Sequence, residues 1–202
     1  MQDKIAIRKK ALSNRKNKYF EVSDFFFKPL IKLLNIKKKY KKNYLSLYFP
    51  AKYEVNVLKL FDLNKIKKMK TLLPVITNKN KIDFVAWQKL DLLKINNFGI
   101  LEPYLKTKFL TPDVMLVPLL AYDSKNNRLG YGKGFYDKYL SKFLRNKKKI
   151  TTIGVAFSFQ KYNKLPVSKL DIKLDYILTE KGLQRWKFLF LVTLWVILVS
   201  IG

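Results

Sequence analysis

No cysteine and no histidine occur anywhere in the chain. The first absence removes disulfides and a thiolate nucleophile, which suits a cytoplasmic protein. The second removes the usual general base and the commonest metal ligand. Serine–histidine hydrolase and zinc-enzyme chemistries are therefore poor readings, and any metal should be a hard ion held by carboxylates and substrate phosphates. Acidic residues are also scarce: 14 Asp and Glu stand against 42 Lys and Arg, a net charge of +28. Such a field attracts polyanions, so one reading is a basic nucleic-acid-binding protein on an α/β scaffold. Arginine is scarce within the excess, with five against 37 lysines. Planar recognition of phosphates and bases favours arginine, so drift toward lysine is the preferred reading and no specific nucleic-acid partner is expected. The N-terminal residues lack the apolar core and small-residue cleavage site of a secretory leader.

What is present begins with size and core. At 202 residues, 49% apolar and 15% aromatic, the chain reads as one domain with a sizeable core. Its most informative stretch is RLGYGKGFYD at 128–137. Gly130, Gly132 and Gly134 alternate there, leaving a backbone free to approach a ligand closely. Lys133 sits inside the loop, Arg128 opens it and Asp137 closes it. An apolar run, VMLVPLL, precedes it as a candidate strand, and FYDKYLSKFL follows at helical spacing. Strand, glycine loop and helix together aim N–H groups and a positive helix end at a phosphate. Neither the Walker spacing nor the dinucleotide fingerprint fits. Two cations and a carboxylate within ten residues nevertheless suit phosphate oxygens and a hard metal.

Residues 3–19 read as a basic helix capped by Asp3, with Lys4 and Arg8 four apart on one face. A second helix is expected over 22–35, turning Phe25, Phe26, Leu30, Leu33 and Leu34 inward. YLSLYF at 44–49 alternates like a strand and Pro50 ends it. EVNVLKLFDL then looks helical, so Glu54 lies where a strand hands over to a helix, a position that often lines a site in α/β sheets. Strands are also expected at 68–76, 81–87, 148–159 and 176–179. NNFGILEP at 96–103 reads as a loop, and Pro118 marks a bulge or distortion near the site. Asp171 and Asp175 stand four apart before the last strand, Asp175 helping to fix the loop. Residues 184–202 break with the rest, being uncharged from Phe188 onward and marginal in length for a spanning helix. Arg185, Trp186 and Lys187 would anchor its cytosolic side. A membrane anchor, a partner-binding helix and a fortuitous extension are all open; the one carried forward is an extension with membrane affinity.

RLGYGKGFYD resembles the signature of the 5-formyltetrahydrofolate cyclo-ligase (5,10-methenyltetrahydrofolate synthetase) family. KIAIR, YFPAKYEVNV, LLPVI, FGILEP, VPLLAYD and LPVSKLDIKLDYILTE follow the family's order and spacing, over roughly residues 4 to 183. The resemblance implies a Rossmann-like α/β domain over 1–183 with the extension 184–202 outside it. Its sheet should be mainly parallel and twisted, with helices on both faces, like sugar-phosphate isomerase and CoA transferase scaffolds. The implied reaction is ATP- and Mg²⁺-dependent closure of a reduced folate, the folate bearing several glutamates that the positive field would help capture. ATP contacts carry over to Lys4, Arg8, Arg128, Leu129, Gly130, Tyr131, Gly132, Lys133, Gly134, Phe135 and Tyr136. Folate contacts carry over to Phe49 and Glu54, with Tyr131, Gly132, Lys133, Gly134 and Phe135 shared. Lys133 and Arg128 would be catalytic, and Asp137 and Asp171 would hold the metal.

Overall fold

Asp3 opens the first element. Its carboxylate accepts the Ile5 N–H at 3.0 Å, and helix α1 then runs Lys4–Lys18 as the sequence predicts. Arg15, Lys16 and Lys18 complement the dipole in its last turn. The computed structural model describes residues 3–38, 44–63, 66, 69–78, 81–104, 108–145 and 150–185. Most of the basic linker at 37–42 lies outside these.

The second helix departs from expectation. A 3-10 turn at Asp24–Phe27 precedes α2, which spans Lys28–Lys38. The tighter winding breaks the helical period, so Phe25 is 70% exposed instead of facing the core. Phe26, Leu30 and Leu34 are buried as expected, and Leu33 is partly buried.

The strands are β1 (Tyr44–Ser46), β2 (Lys70–Asn78), β3 (Lys81–Ala86), β4 (Leu93–Ile95), β5 (Leu101–Pro103) and β6 (Val114–Pro118). After them come β7 (Ala121–Tyr122), β8 (Arg128–Leu129), helix α3 (Phe135–Arg145), β9 (Thr151–Val155), β10 (Tyr176–Thr179) and β11 (Gly182–Arg185). Seven strands form one sheet in the order β11-β10-β9-β6-β1-β2-β3. Its interior pairs are parallel and the two edge pairs, β2 with β3 and β10 with β11, are antiparallel.

Period-two alternation along β6 divides the core. Val114 and Leu116 face a cluster holding Phe26, Leu30 and Leu34 of the α2 region. Met115 and Val117 face the other, holding Tyr139 and Leu140 of α3. Helices therefore cover both faces, and each fully buried Leu or Met contributes about 2 kcal/mol by leaving water. Asp175 fixes the approach to β10, accepting the Thr152 N–H at 2.9 Å.

Four local expectations are corrected. Residues 96–103 are the turn and second strand of the β4–β5 hairpin rather than a loop. Glu102 anchors that hairpin, its Oε2 accepting the Ile76 N–H of β2 at 2.9 Å. Pro118 makes no bulge: it ends β6 in register with Val155, and β1 pairs with β6 only at Val114 and Met115, so the missing N–H interrupts no ladder. VMLVPLL does form a strand, β6, but it does not lead straight into the glycine loop: the antiparallel β7–β8 ribbon comes between them. Finally, β11 carries the fold to Arg185, past the expected boundary at 183. Residues 186–202 lie outside the described residues, among which no helix is long and apolar enough to cross a membrane.

Candidate active site

The chain leaves β1 for β2 on one side, while β6 and then β9 and β10 lie on the other. In an open parallel sheet this reversal leaves a crevice beyond the carboxyl ends of the two diverging strands. Here those strands are β1 and β6. The segments that follow them carry Glu54 and the glycine loop respectively, so topology alone brings two distant motifs together.

After β1 the backbone turns at Lys52 and Tyr53, which hold φ of 49° and 63°. Two successive non-glycine residues in the left-handed region cost about 1 kcal/mol or more each. The turn delivers Glu54 inward, and its Oε2 accepts the Ala51 N–H at 3.0 Å. The predicted strand-to-helix handover is therefore this turn, followed by a 3-10 helix at Val57–Asp62. Phe49 and Glu54 line one open cleft of about 350 Å³, together with Tyr19, Lys52 and Tyr53. Burial pushes the Glu54 carboxyl up, and the Tyr131 hydroxyl, the Arg15 guanidinium and the Ala51 N–H oppose that rise.

After β6 the β7–β8 ribbon packs beneath α1, with Ile7 against Ala121, Leu129 and Leu165. That packing lays the Lys4–Arg8 face over the loop. Arg8 Nε donates to the Gly130 carbonyl at 2.9 Å, and a Cβ on Gly132 would stand 3.2 Å from the Arg8 Cζ. Gly132 and Gly134 hold φ of 102° and 66°, the conformations for which glycine is needed here. Leu129 turns its side chain into the core, so only its backbone can meet a ligand. Lys133 is exposed, its Nζ 5.6 Å from the Phe98 ring centre. Phe98 in turn meets Phe135 edge-on at 5.6 Å, which brings the β4–β5 hairpin to the loop, a contact the sequence did not signal. Tyr136 is half-buried beneath Arg128, the guanidinium 5.7 Å from its ring centre.

The two residues expected to hold a metal lie on segments that touch. Asp137 Oδ2 accepts Arg128 Nη2 at 2.8 Å and its Oδ1 accepts the Ile172 N–H at 3.1 Å, directly beside Asp171. Asp171 Oδ2 takes both Lys4 Nζ and the Ser168 N–H at 2.6 Å. Burial disfavours the charged form of Asp171, but Lys4 and Ser168 outweigh it and hold the carboxyl below its usual range. Among the described residues no group of three or more His, Cys, Asp or Glu gathers as a metal cage. Carboxylates of this kind suit an ion such as Mg²⁺, which takes one or two of them and completes its shell with phosphates and water. Arg128 Nε is buried without a partner, a donor in want of an anion.

One residue of the site escaped sequence reasoning. Arg15 is 1% exposed and bonds to Lys52 O at 2.9 Å, Leu119 O at 3.1 Å and the Tyr131 hydroxyl. The signal available was the buried stripe Ile7–Ala11–Arg15 at four-residue spacing, an arginine where an apolar residue belongs.

The profile of the 5-formyltetrahydrofolate cyclo-ligase family matches residues 1–180. The 5-formyltetrahydrofolate cyclo-ligase of Haemophilus influenzae is 31% identical over 151 residues, 72% of this chain and 80% of that protein. The NMR structure of Aquifex aeolicus 5,10-methenyltetrahydrofolate synthetase shares the fold with a TM-score of 0.67 at 32% identity, over 92% of this chain and 93% of that one. For the 5,10-methenyltetrahydrofolate synthetase of Mycoplasma pneumoniae the TM-score is 0.65 at 28% identity, covering 88% and 98%. With glycine loop, paired carboxylates and buried glutamate all inside the matched span, the chain belongs to the 5-formyltetrahydrofolate cyclo-ligase family.

Proposed function

We propose that the chain uses ATP to cyclise 5-formyltetrahydrofolate to 5,10-methenyltetrahydrofolate, releasing ADP and phosphate. The supporting observation is the meeting of the glycine loop with a buried carboxylate: the Tyr131 hydroxyl in that loop donates to Glu54 Oε1 at 2.7 Å. Glu54 would accept from the N–H donors of the pterin while Phe49 packs against a ring. Arg128, Lys133, Lys4, Arg8 and the loop N–H groups would hold the triphosphate, and Asp137 with Asp171 would hold Mg²⁺. When bound, Mg²⁺ neutralises phosphate charge.

A formyl oxygen is a poor leaving group. Transfer of the γ-phosphoryl group to it, with the bond to ADP broken, gives an imidoyl phosphate. The N10 lone pair then attacks the formyl carbon, phosphate leaves with the former formyl oxygen, and N10 gives up its proton to solvent. Alignment and charge neutralisation do most of this work, which suits a site without histidine or cysteine. The lysine-rich field would add to capture of a polyglutamylated folate.

Purified protein given 5-formyltetrahydrofolate and Mg-ATP should develop the methenyl absorbance with one ADP formed per folate closed. ATP consumption indifferent to folate would sink this reading. We further propose that the apolar extension stands outside the catalytic domain and has membrane affinity. Gln184 and Arg185 pair with Ile177 and Tyr176, so the deletion that tests this begins after Arg185. Unchanged turnover with lost vesicle partitioning is the expected result.

A further inference from the structure

Three segments far apart in sequence converge on one buried cation. Arg15 comes from the last turn of α1, Lys52 and Glu54 from the turn after β1, and Leu119 and Tyr131 from the chain after β6. The carbonyls of Lys52 and Leu119 fix the guanidinium plane, leaving Nη2 aimed at the Tyr131 hydroxyl. An arginine only donates, so the tyrosine oxygen accepts from Arg15 and must send its single proton elsewhere. It sends it to Glu54 Oε1 at 2.7 Å. Arg15 itself stays 4.0 Å from that carboxylate, beyond hydrogen-bond reach, so its charge attracts Glu54 directly while the hydrogen-bonded link between them runs through Tyr131.

The polarity of this chain is fixed from end to end. A glycine loop that shifts about a phosphate carries Tyr131 with it, and among the described residues Tyr131 carries the one side-chain hydroxyl bonded to Glu54. A buried charge is expensive unless it is paired, and an apolar side chain of similar volume would pack there at lower cost. Packing alone therefore does not account for an arginine at this place. Tyr131 is 37% exposed, so it can respond to a ligand, whereas Arg15 at 1% is held as a fixed post.

We propose that Arg15 is a positioning residue that couples the two substrate sites, holding Tyr131 so that nucleotide in the glycine loop sets Glu54 for the folate. This deepens the proposed function and rests on it. Nucleotide binding orders the loop, the ordered loop fixes the Tyr131–Glu54 bond, and the folate then meets a carboxylate already oriented. Linkage makes the effect reciprocal.

The test is titration calorimetry of 5-formyltetrahydrofolate, with and without the Mg²⁺ complex of a non-hydrolysable ATP analogue. Wild-type protein should bind the folate about tenfold more tightly when the analogue is present, inside the usual span of coupled sites. Tyr131→Phe keeps the ring and removes the link; it should bind both ligands with that ratio reduced to about one. Arg15→Met should behave likewise, and Arg15→Lys should restore part of the ratio. Melting curves accompany each variant, and if Arg15→Met fails to fold, Tyr131→Phe decides alone. An undiminished ratio in Tyr131→Phe overturns the proposal. A wild-type enzyme that turns over substrate yet binds the two ligands independently overturns it too, leaving the proposed function intact. A wild type that binds neither ligand overturns both.

Discussion

Arg128 Nη2 donates to Asp137 Oδ2 across 2.8 Å, closing the glycine loop with an ion pair between its first and last charged residues. The Nε of the same guanidinium has no acceptor, and a buried donor left so costs about 1–3 kcal/mol. Arg128→Lys keeps the charge and loses the fork. Under the proposed function we expect kcat to fall about a hundredfold or more, the scale seen when a transition-state donor is removed. Steady-state kinetics with melting curves check this; retained kcat would separate the fork from the chemistry.

Gly130 is a second control point, because a Cβ there would lie 2.8 Å from Arg128 Nη1. Gly130→Ala should push the guanidinium off Asp137 without touching the core. A displaced positioning group costs up to about a hundredfold in rate. The expected pattern is a raised KM for ATP with the melting temperature near that of wild type. A large drop in melting temperature would show that the loop supports the fold as well.

Glu54 and Asp171 should respond to pH in opposite senses. Burial raises the Glu54 pKa above its ordinary value of 4.5, so the fold favours the neutral form. Its contribution to stability is complete below that value and is lost as pH rises through the raised folded value. Asp171 is lowered from 3.8, so its contribution is present above 3.8 and disappears as pH falls through the lower folded value. Under the proposed function the pterin pairs with the Glu54 carboxylate, so KM for folate should climb on the acid side, starting at a pH above 4.5. A KM for folate flat across that region would argue against an ionised Glu54 as the pterin partner.

In the sheet itself, Gly154→Ala should be the costly change. The added Cβ would lie 2.7 Å from the side-chain ends of Leu119, Leu174 and Ile177 at once. All three are buried, so they cannot swing into solvent, and overpacking of this kind costs about 1–3 kcal/mol. Urea denaturation should show a lower midpoint with an unchanged slope.

What could be read from the sequence was what depends on neighbours in the chain. The α3 helix follows from helical spacing, the Asp3 cap from residue type ahead of a helix, and β2, β3 and β10 from short apolar runs, the first two joined by an Asn/Lys turn. Phe25 went astray because a 3-10 turn winds at three residues per turn and shifts the phase of everything before α2. The β4–β5 hairpin went unread because strands of three residues are too short to display alternation. Within the site, residue pattern and position pointed to the glycine loop and Glu54, and the resemblance to a family supplied the ligands expected there. Arg15 stayed hidden because its partners stand at 52, 119 and 131, and no local rule connects those positions.

The bond between Lys4 and Asp171 joins positions 167 residues apart. A chain still emerging from the ribosome can fold α1 early, yet it cannot form this bond until residue 171 has been made. Under the proposed function, products that stop short of residue 171, however well folded, should thus sequester neither nucleotide nor vitamin from the cell.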